Sequence, residues 1–333
     1  MPDTPQPESF VKRQQYTFNK TLGKGTFSVV RDAIRVDEQG NQHKVAVKVI
    51  HKRFLSGNRA TVIGEIETVQ ELSHPHIVKL IDWFESHDKV RRLWGLQFYL
   101  VFEEANGGEL LDRLLDRGRF SEHDACRTIY VLVEAVAYMH RHNIVHRDIK
   151  PENILYRTRS EDANIVIVDF GIAAHMRADD SNLQGMYGSV GYAAPEVIMR
   201  RGHGKPVDMW GIGVVTYTML CGYAPFSSAD PVLFRKQLER GKVDFDEKYW
   251  YSTSAAARDF TQRCLTIDPE QRITADEALN HEWFSEWLHI EPQESDVSAG
   301  LRDNYRSRCK SGAEDADVST TSTGHHRCDS VGD

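Results

Sequence analysis

The densest chemistry in this sequence is His146-Arg147-Asp148-Ile149-Lys150-Pro151-Glu152-Asn153, followed by Asp169-Phe170-Gly171. A carboxylate, a lysine two residues on and an asparagine five on share one loop, a costly coincidence for a structural turn. Moving a phosphoryl group needs such parts: a base beside the incoming hydroxyl, a cation for the migrating phosphate, and oxygen ligands for Mg2+. Upstream, Val45-Ala46-Val47-Lys48 alternates as a strand does, so Ala46 and Lys48 face one side. A lysine turned inward needs an anionic partner, and Glu65, on the following helical stretch, is placed to be it. Between two strand patterns lies Leu22-Gly23-Lys24-Gly25-Thr26-Phe27-Ser28-Val29-Val30, where glycines would let backbone N–H groups approach phosphates. By itself that pattern is weak evidence, since a hairpin turn with two glycines is the commoner reading. It is no Walker loop, since no Gly-Lys-Ser/Thr follows. A strand rather than a helix comes next, which disfavours a dinucleotide fingerprint.

The elements that must position these residues can be read from periodicity. Tyr16–Leu22, Val29–Val36 and Lys44–Ile50 are β-branched runs separated by turns, and Val78–Phe84 and Phe98–Phe102 read as two more strands. Arg59–Leu72 carries Val62, Ile66, Val69 and Leu72 at helical spacing. After Asn106-Gly107-Gly108 the pattern turns helical. Ser121-Glu-His-Asp124 is a capping box opening a long helix with the stripe Ala125, Ile129, Leu132, Val133, Val136 and Met139. Further helical stretches fall near 206–220, 231–240, 254–265 and 274–280. The expected fold is α+β in two lobes, within one domain over 16–284. A small antiparallel sheet with one helix occupies 16–104, and a larger, mainly helical lobe occupies 107–284. Residues 1–15, with three prolines, read as a disordered lead-in. Residues 285–333, acidic and rich in Ser and Thr, read as a disordered tail.

Composition narrows the function classes. The net charge is −8, and the segment from Ser285 onward holds ten acidic against five basic side chains, so most of the surplus is in the tail. The nearly neutral body lacks the basic surface that nucleic acid or an anionic membrane would attract. No apolar run approaches a membrane span, and the N-terminus has no signal-peptide pattern. The five cysteines form no C-x-x-C pair, and they read as free thiols in a reducing compartment, cytoplasmic with the nucleus open. His140, His142 and His146 lack carboxylate or Cys companions and read as helix-end and loop residues rather than metal ligands. Trp283, Phe284, Trp287 and Leu288 read as packing between elements.

Taken together, the motifs resemble the eukaryotic protein kinase family, in matching order from Leu22 to Phe284. Ala194-Pro195-Glu196 sits where the family ends its activation segment, Asp208-Met-Trp210-Gly-Ile-Gly213 matches its central helix, and Arg272 falls where an arginine pairs with Glu196. The resemblance implies ATP and Mg2+ as cofactors. Leu22, Val30, Ala46 and Leu155 would enclose the adenine, and Glu103 and Ala105 would offer it hinge backbone groups. Leu22 to Ser28, through Gly23, Lys24, Gly25, Thr26 and Phe27, would cover the phosphates, and Lys48, held by Glu65, would contact them. Asn153 and Asp169 would hold Mg2+. Asp148 would take the proton of the acceptor hydroxyl while Lys150 neutralises the migrating phosphate. Lys150 and Gly188-Ser-Val-Gly-Tyr192 resemble serine/threonine rather than tyrosine kinases.

Gly107-Gly-Glu109-Leu110, Asp268-Pro-Glu-Gln-Arg272 and His281-Glu-Trp-Phe284 further resemble the calcium/calmodulin-dependent kinase group. Glu109, assisted by Glu152, would then hold a substrate arginine three residues before the acceptor. Its simpler reading is an exposed glutamate at a helix start. A calcium-independent stress- or checkpoint-type kinase is the alternative within the class, and a pseudokinase scaffold the alternative outside it, though its broken catalytic set is missing here. Two departures stand out. Between Asp169 and Glu196 there is no threonine, and the position four before Ser189 is Gly185, so the expected enzyme needs no phosphate on this segment or uses Ser181. In the tail, the basic run from Leu301 to Lys310 has only Leu301 and Tyr305 as anchors. It reads more simply as solvated chain with phosphoacceptors at 319–323, with calmodulin binding as the alternative. Protein substrates are the expected partners, and the chain is expected to be a monomer.

Overall fold

The computed structural model describes residues 8–24, 28–51, 63, 66–67, 69–87, 96–117, 121–160, 162–170, 173–176, 183, 191–226, 234, 236–238 and 243–289. Five antiparallel strands form the first lobe: β1 (Tyr16–Lys24), β2 (Ser28–Val36), β3 (Gln42–His51), β4 (Leu80–His87) and β5 (Leu96–Glu103), in the spatial order β1-β2-β3-β5-β4. All five expected strands are present; four extend beyond the bounds read from the sequence, while β4 is shifted, starting at Leu80 rather than Val78 and ending at His87. The period-two pattern divides the sheet into two faces. Val45, Val47, Phe84 and Val101 face a small core on one side, while Ala46 and Lys48 face the other. Described helical residues between β3 and β4 are 63, 66, 67, 69 and 70; Val62 and Glu65 lie outside the described residues.

The second lobe is helical. Helix α1 (Leu110–Arg117) leads to α2 (Glu122–Arg141), whose expected capping box is present: the Ser121 hydroxyl accepts from Asp124 N–H while the Asp124 carboxylate accepts from Ser121 N–H. Its six stripe residues are all shut off from solvent. Four short strands follow, β6 (Ile144–Val145), β7 (Ile154–Tyr156), β8 (Ile165–Ile167) and β9 (Ala174–His175), pairing as β6-β9 and β7-β8. Helices α3 (Pro195–Ile198), α4 (Pro206–Cys221), α5 (Glu247–Trp250), α6 (Ala255–Cys264), α7 (Ala275–Ala278) and α8 (Glu282–Trp287) complete the lobe. α4 is buried from Val207 to Cys221, as expected of a helix that is apolar almost all round. Its Gly211 allows the chain at Ile149 to approach, because a Cβ there would lie 2.7 Å from the Ile149 carbonyl oxygen.

One expectation is corrected. The lead-in taken as disordered is ordered from Glu8, where Glu8–Gln15 forms a 3-10 helix against β4. The Ser9 hydroxyl accepts from Glu85 N–H, and Lys12 pairs with Asp82 at 2.5 Å. These contacts lie 70 or more residues apart in sequence, so local composition could not reveal them. The expected tail begins later than read, since Ser285 to Trp287 still belong to α8. Trp283 and Phe284 are buried core, with Trp287 and Leu288 packed against them. Residues 290–333, where the rest of the tail and its anchors fall, lie outside the described residues.

Candidate active site

The loop from His146 to Asn153 is held from below by one buried carboxylate. Asp208, in the first turn of α4, accepts hydrogen bonds from His146 N–H (2.9 Å) and Arg147 N–H (2.8 Å), and pairs with His140 Nε2 at 2.9 Å. Burial alone would push the Asp208 carboxyl up. The hydrogen bond and charge of His140, then His146, outweigh that and hold it below its ordinary value. Arg147 is left-handed, with φ of 67°, a conformation costing a non-glycine residue about 1–3 kcal/mol. The two backbone bonds to Asp208 offset that cost.

The expected catalytic residues of this loop touch one another. Asn153 donates its amide N–H to the Asp148 carbonyl at 2.8 Å and to Asp148 Oδ2 at 2.9 Å. Lys150 Nζ lies 2.9 Å from the same Oδ2. One oxygen of the Asp148 carboxylate is thereby fixed, which orients the other. The neighbouring segment is sewn to this loop through Val168 N–H donating to Asn153 O at 2.9 Å. Beyond it, Asp169 takes a φ of 62°, and Phe170 turns inward with its ring edge-on to His146 at 4.8 Å. Lys48 on β3 crosses the gap between lobes to Asp169 Oδ1 at 2.7 Å.

A cleft of about 860 Å³ opens between the lobes. Leu22, Gly23, Val30 and Ala46 form its roof, Leu155 its floor, and Glu103 and Ala105 its back edge; Lys48, Asn153 and Asp169 stand at its inner end. Glu109 and Glu152 lie on its rim. Burial, then the carboxylates of Asp112 and Glu152, push the Glu109 carboxyl above its ordinary value, while Lys150 pulls the other way. Glu109 is thus half-buried among carboxylates rather than freely solvated.

Asp148 and Lys150 adjoin Asn153 rather than lining the cleft itself. Lys24 and Ser28 flank the turn without lining it, while Gly25, Thr26, Phe27 and Glu65 lie outside the described residues. Among the cleft residues that the sequence does not single out are three apolar ones, Val78, Phe102 and Val168. The last two immediately precede Glu103 and Asp169, so their position beside those residues was the available signal.

The histidines noted in the sequence are occupied in packing: His142 Nδ1 meets the Tyr138 carbonyl at 2.8 Å, and His146 Nε2 the Val168 carbonyl at 3.1 Å. Among the described residues no helix is long and apolar enough to cross a membrane.

A sheet lobe hinged over a helical lobe, with a lysine–aspartate bridge at the cleft's inner end and an Asp-Lys-Asn cluster beside it, defines a protein kinase. The protein kinase domain model matches residues 16–284. The chain is 48% identical over 280 residues to a calcium/calmodulin-dependent protein kinase of Metarhizium anisopliae, covering 84% of this chain and 70% of that one. It is 48% identical over 279 residues to calcium/calmodulin-dependent protein kinase cmkA of Emericella nidulans, where the match spans 64% of the relative, less than two thirds of its length. With human calcium/calmodulin-dependent protein kinase type 1B the identity is 41% over 272 residues, covering 81% of this chain and 75% of that one. The chain belongs to the protein kinase family, as a serine/threonine kinase resembling the calcium/calmodulin-dependent type. Members of the family use ATP and Mg2+.

Proposed function

We propose that the chain transfers the γ-phosphoryl group of ATP to serine or threonine hydroxyls of proteins carrying an arginine three residues before the acceptor. The observation that carries this reading is the Asp148 carboxylate, held by Lys150 and Asn153 beside the Lys48–Asp169 bridge. The fixed carboxylate accepts the hydroxyl proton as the acceptor oxygen attacks. Lys150, bound to that carboxylate, neutralises charge on the migrating phosphoryl group. Lys48 contacts the α- and β-phosphates. Positioning and electrostatics supply most of the rate in such transfers.

The donor set suits Mg2+. Asn153 commits its amide N–H to Asp148, so its carbonyl oxygen is its ligand atom, and the Asp169 side chain is half exposed to the cleft. Oxygen donors of this kind favour a small hard cation. When bound, the ion neutralises charge on the phosphates.

At the rim, burial and the carboxylates of Asp112 and Glu152 raise the proton affinity of Glu109, a crowding of negative charge that an incoming guanidinium relieves. This supports the arginine preference. Calmodulin control is the second reading, favoured by the names of the relatives. Its expected segment, 301–310, falls outside the described residues. Burial of Cys126, Cys221 and Cys264 as free thiols supports a reducing compartment, cytoplasmic or nuclear, and we take the chain to act as a monomer.

The test is transfer of labelled phosphate from Mg-ATP to an Arg-x-x-Ser peptide, with and without Ca2+–calmodulin, beside an Asp148→Asn control. Activity absent from the control supports the reading. Activity equal to the control in both conditions sinks it. Stimulation by calmodulin supports the second reading.

A further inference from the structure

Arg157, one residue beyond β7, brackets the hinge from both ends. Its guanidinium reaches up to the first lobe, where Nη1 pairs with Glu103 Oε2 at 2.5 Å and Nη2 donates to the Pro75 carbonyl at 2.7 Å. Its own carbonyl accepts from Asn106 N–H at 3.2 Å. Glu103 is held a second time, because Oε1 accepts from Lys79 N–H at 2.9 Å and Glu103 N–H donates to Lys79 O at 3.0 Å. The hinge exit is zipped to the same strand, with Gly107 N–H donating to Tyr156 O and Tyr156 N–H to Gly108 O. Gly107 permits this contact, since a Cβ there would lie 2.1 Å from the Thr158 carbonyl oxygen. Ala105 therefore sits between two points fixed by one residue. The arginine and the glutamate are each about a quarter exposed, so water screens the pair only partly.

We infer that Arg157 is a positioning residue for the nucleotide: by gripping Glu103 and Asn106 on either side of Ala105, it sets where the hinge backbone meets the base. The inference rests on the cleft being the nucleotide site. Arginine suits this work because its planar fork addresses a carboxylate and a carbonyl together, whereas a lysine ammonium is a single point. Holding Pro75 as well couples the hinge to the chain just ahead of β4.

The experiment measures KM for Mg-ATP and kcat on a peptide substrate, with the thermal midpoint of each variant. The variants are Arg157→Ala, Arg157→Lys, Glu103→Gln and the Arg157→Ala/Glu103→Gln double. Expected is a rise in KM for ATP of roughly three- to tenfold in Arg157→Ala and Glu103→Gln, with kcat within about twofold. The double variant should be no worse than the worse single, because both remove one interaction. Arg157→Lys should restore part of the loss. An unchanged KM in Arg157→Ala, with or without a lower midpoint, overturns the inference, and so do fully additive effects. Ala46→Leu, which intrudes on the cleft roof, separates the two readings. A raised KM there with an unchanged Arg157→Ala overturns the role of Arg157 alone. An unchanged KM in Ala46→Leu removes the nucleotide from the cleft, and this inference with it.

Discussion

Arg272 and Glu196, 76 residues apart, face each other through two parallel hydrogen bonds of 2.7 and 2.9 Å with both side chains shut away from solvent. The remaining N–H groups of the guanidinium reach the carbonyls of Thr266, Pro206 and Ile267, so all five of its donors are used. Glu196 opens α3, where the expected activation segment ends, and Arg272 stands just before α7. The pair thus ties that segment to the helical lobe.

Removing one partner strands the other as a buried, unpaired charge. Arg272→Ala is expected to lower unfolding free energy by about 3–5 kcal/mol, the usual cost of breaking a buried ion pair. Urea titration measures it, with Glu196→Gln as the reciprocal change. A loss below about 1 kcal/mol, the range of surface pairs, would show that water reaches the pair.

Asp208 should govern turnover through the backbone it holds. Asp208→Ala leaves His146 N–H and Arg147 N–H without their acceptor and removes what stabilises the left-handed Arg147. A displacement of Asp148 by about 1 Å would cost on the order of a hundredfold in kcat. Steady-state kinetics should show this loss mainly in kcat, with ATP affinity retained, since Asp208 does not line the cleft. An equal rise in KM for ATP would indicate collapse of the whole lobe.

How much of this was legible in the sequence follows from the range of each interaction. The Asp-Lys-Asn cluster lies within six residues, and the α2 capping box within four, so local spacing exposed both. The Arg272–Glu196 pair and the Lys48–Asp169 bridge span 76 and 121 residues. The first entered the reading only through family resemblance. For Lys48 the strand alternation and the resemblance both point to Glu65, which lies outside the described residues, and neither points to Asp169. Asp208 was recognised as part of a helix, but nothing in its neighbours says that it holds the loop at 146–147. Arg157 carries no motif at all; its role exists only once β7 passes beneath the hinge. The order at Glu8–Gln15 likewise depends on Asp82 and Glu85, which a local reading of a proline-rich start does not include.

The activation segment should work without a phosphate. It has no threonine between Asp169 and Glu196, and its described parts are tied down by backbone pairing. β9 pairs with β6, Met176 N–H donates to Asn143 O at 2.7 Å, and Leu183 exchanges two bonds with His203 at 2.8 and 3.0 Å. Exhaustive phosphatase treatment, verified by intact mass, should leave peptide phosphorylation essentially unchanged. A loss greater than about tenfold, or roughly 1.4 kcal/mol of barrier, would show that a phosphate on Ser181 or another segment residue is required.

Glu109 should show opposite effects on stability and on substrate binding. Its raised pKa means that the folded chain holds this proton more tightly than the unfolded chain does. Its favourable contribution to stability is therefore complete below the ordinary carboxylate pKa and is lost as pH rises through the raised value. At neutral pH the ionised carboxylate, facing Asp112 and Glu152, works against folding. Glu109→Gln is accordingly expected to raise the thermal midpoint at neutral pH, with the gain shrinking as the buffer is made acidic. The same change removes a charge-assisted partner for a substrate guanidinium, so KM for an Arg-x-x-Ser peptide should rise by about tenfold or more. For a peptide with alanine in the arginine position, KM should not move. In the unsubstituted enzyme, KM for the arginine peptide should climb as pH falls through the Glu109 pKa, because the protonated acid no longer attracts a cation. A variant that loses affinity equally for both peptides would place Glu109 outside the arginine subsite. A variant less stable at neutral pH would show that its carboxylate is paired rather than crowded.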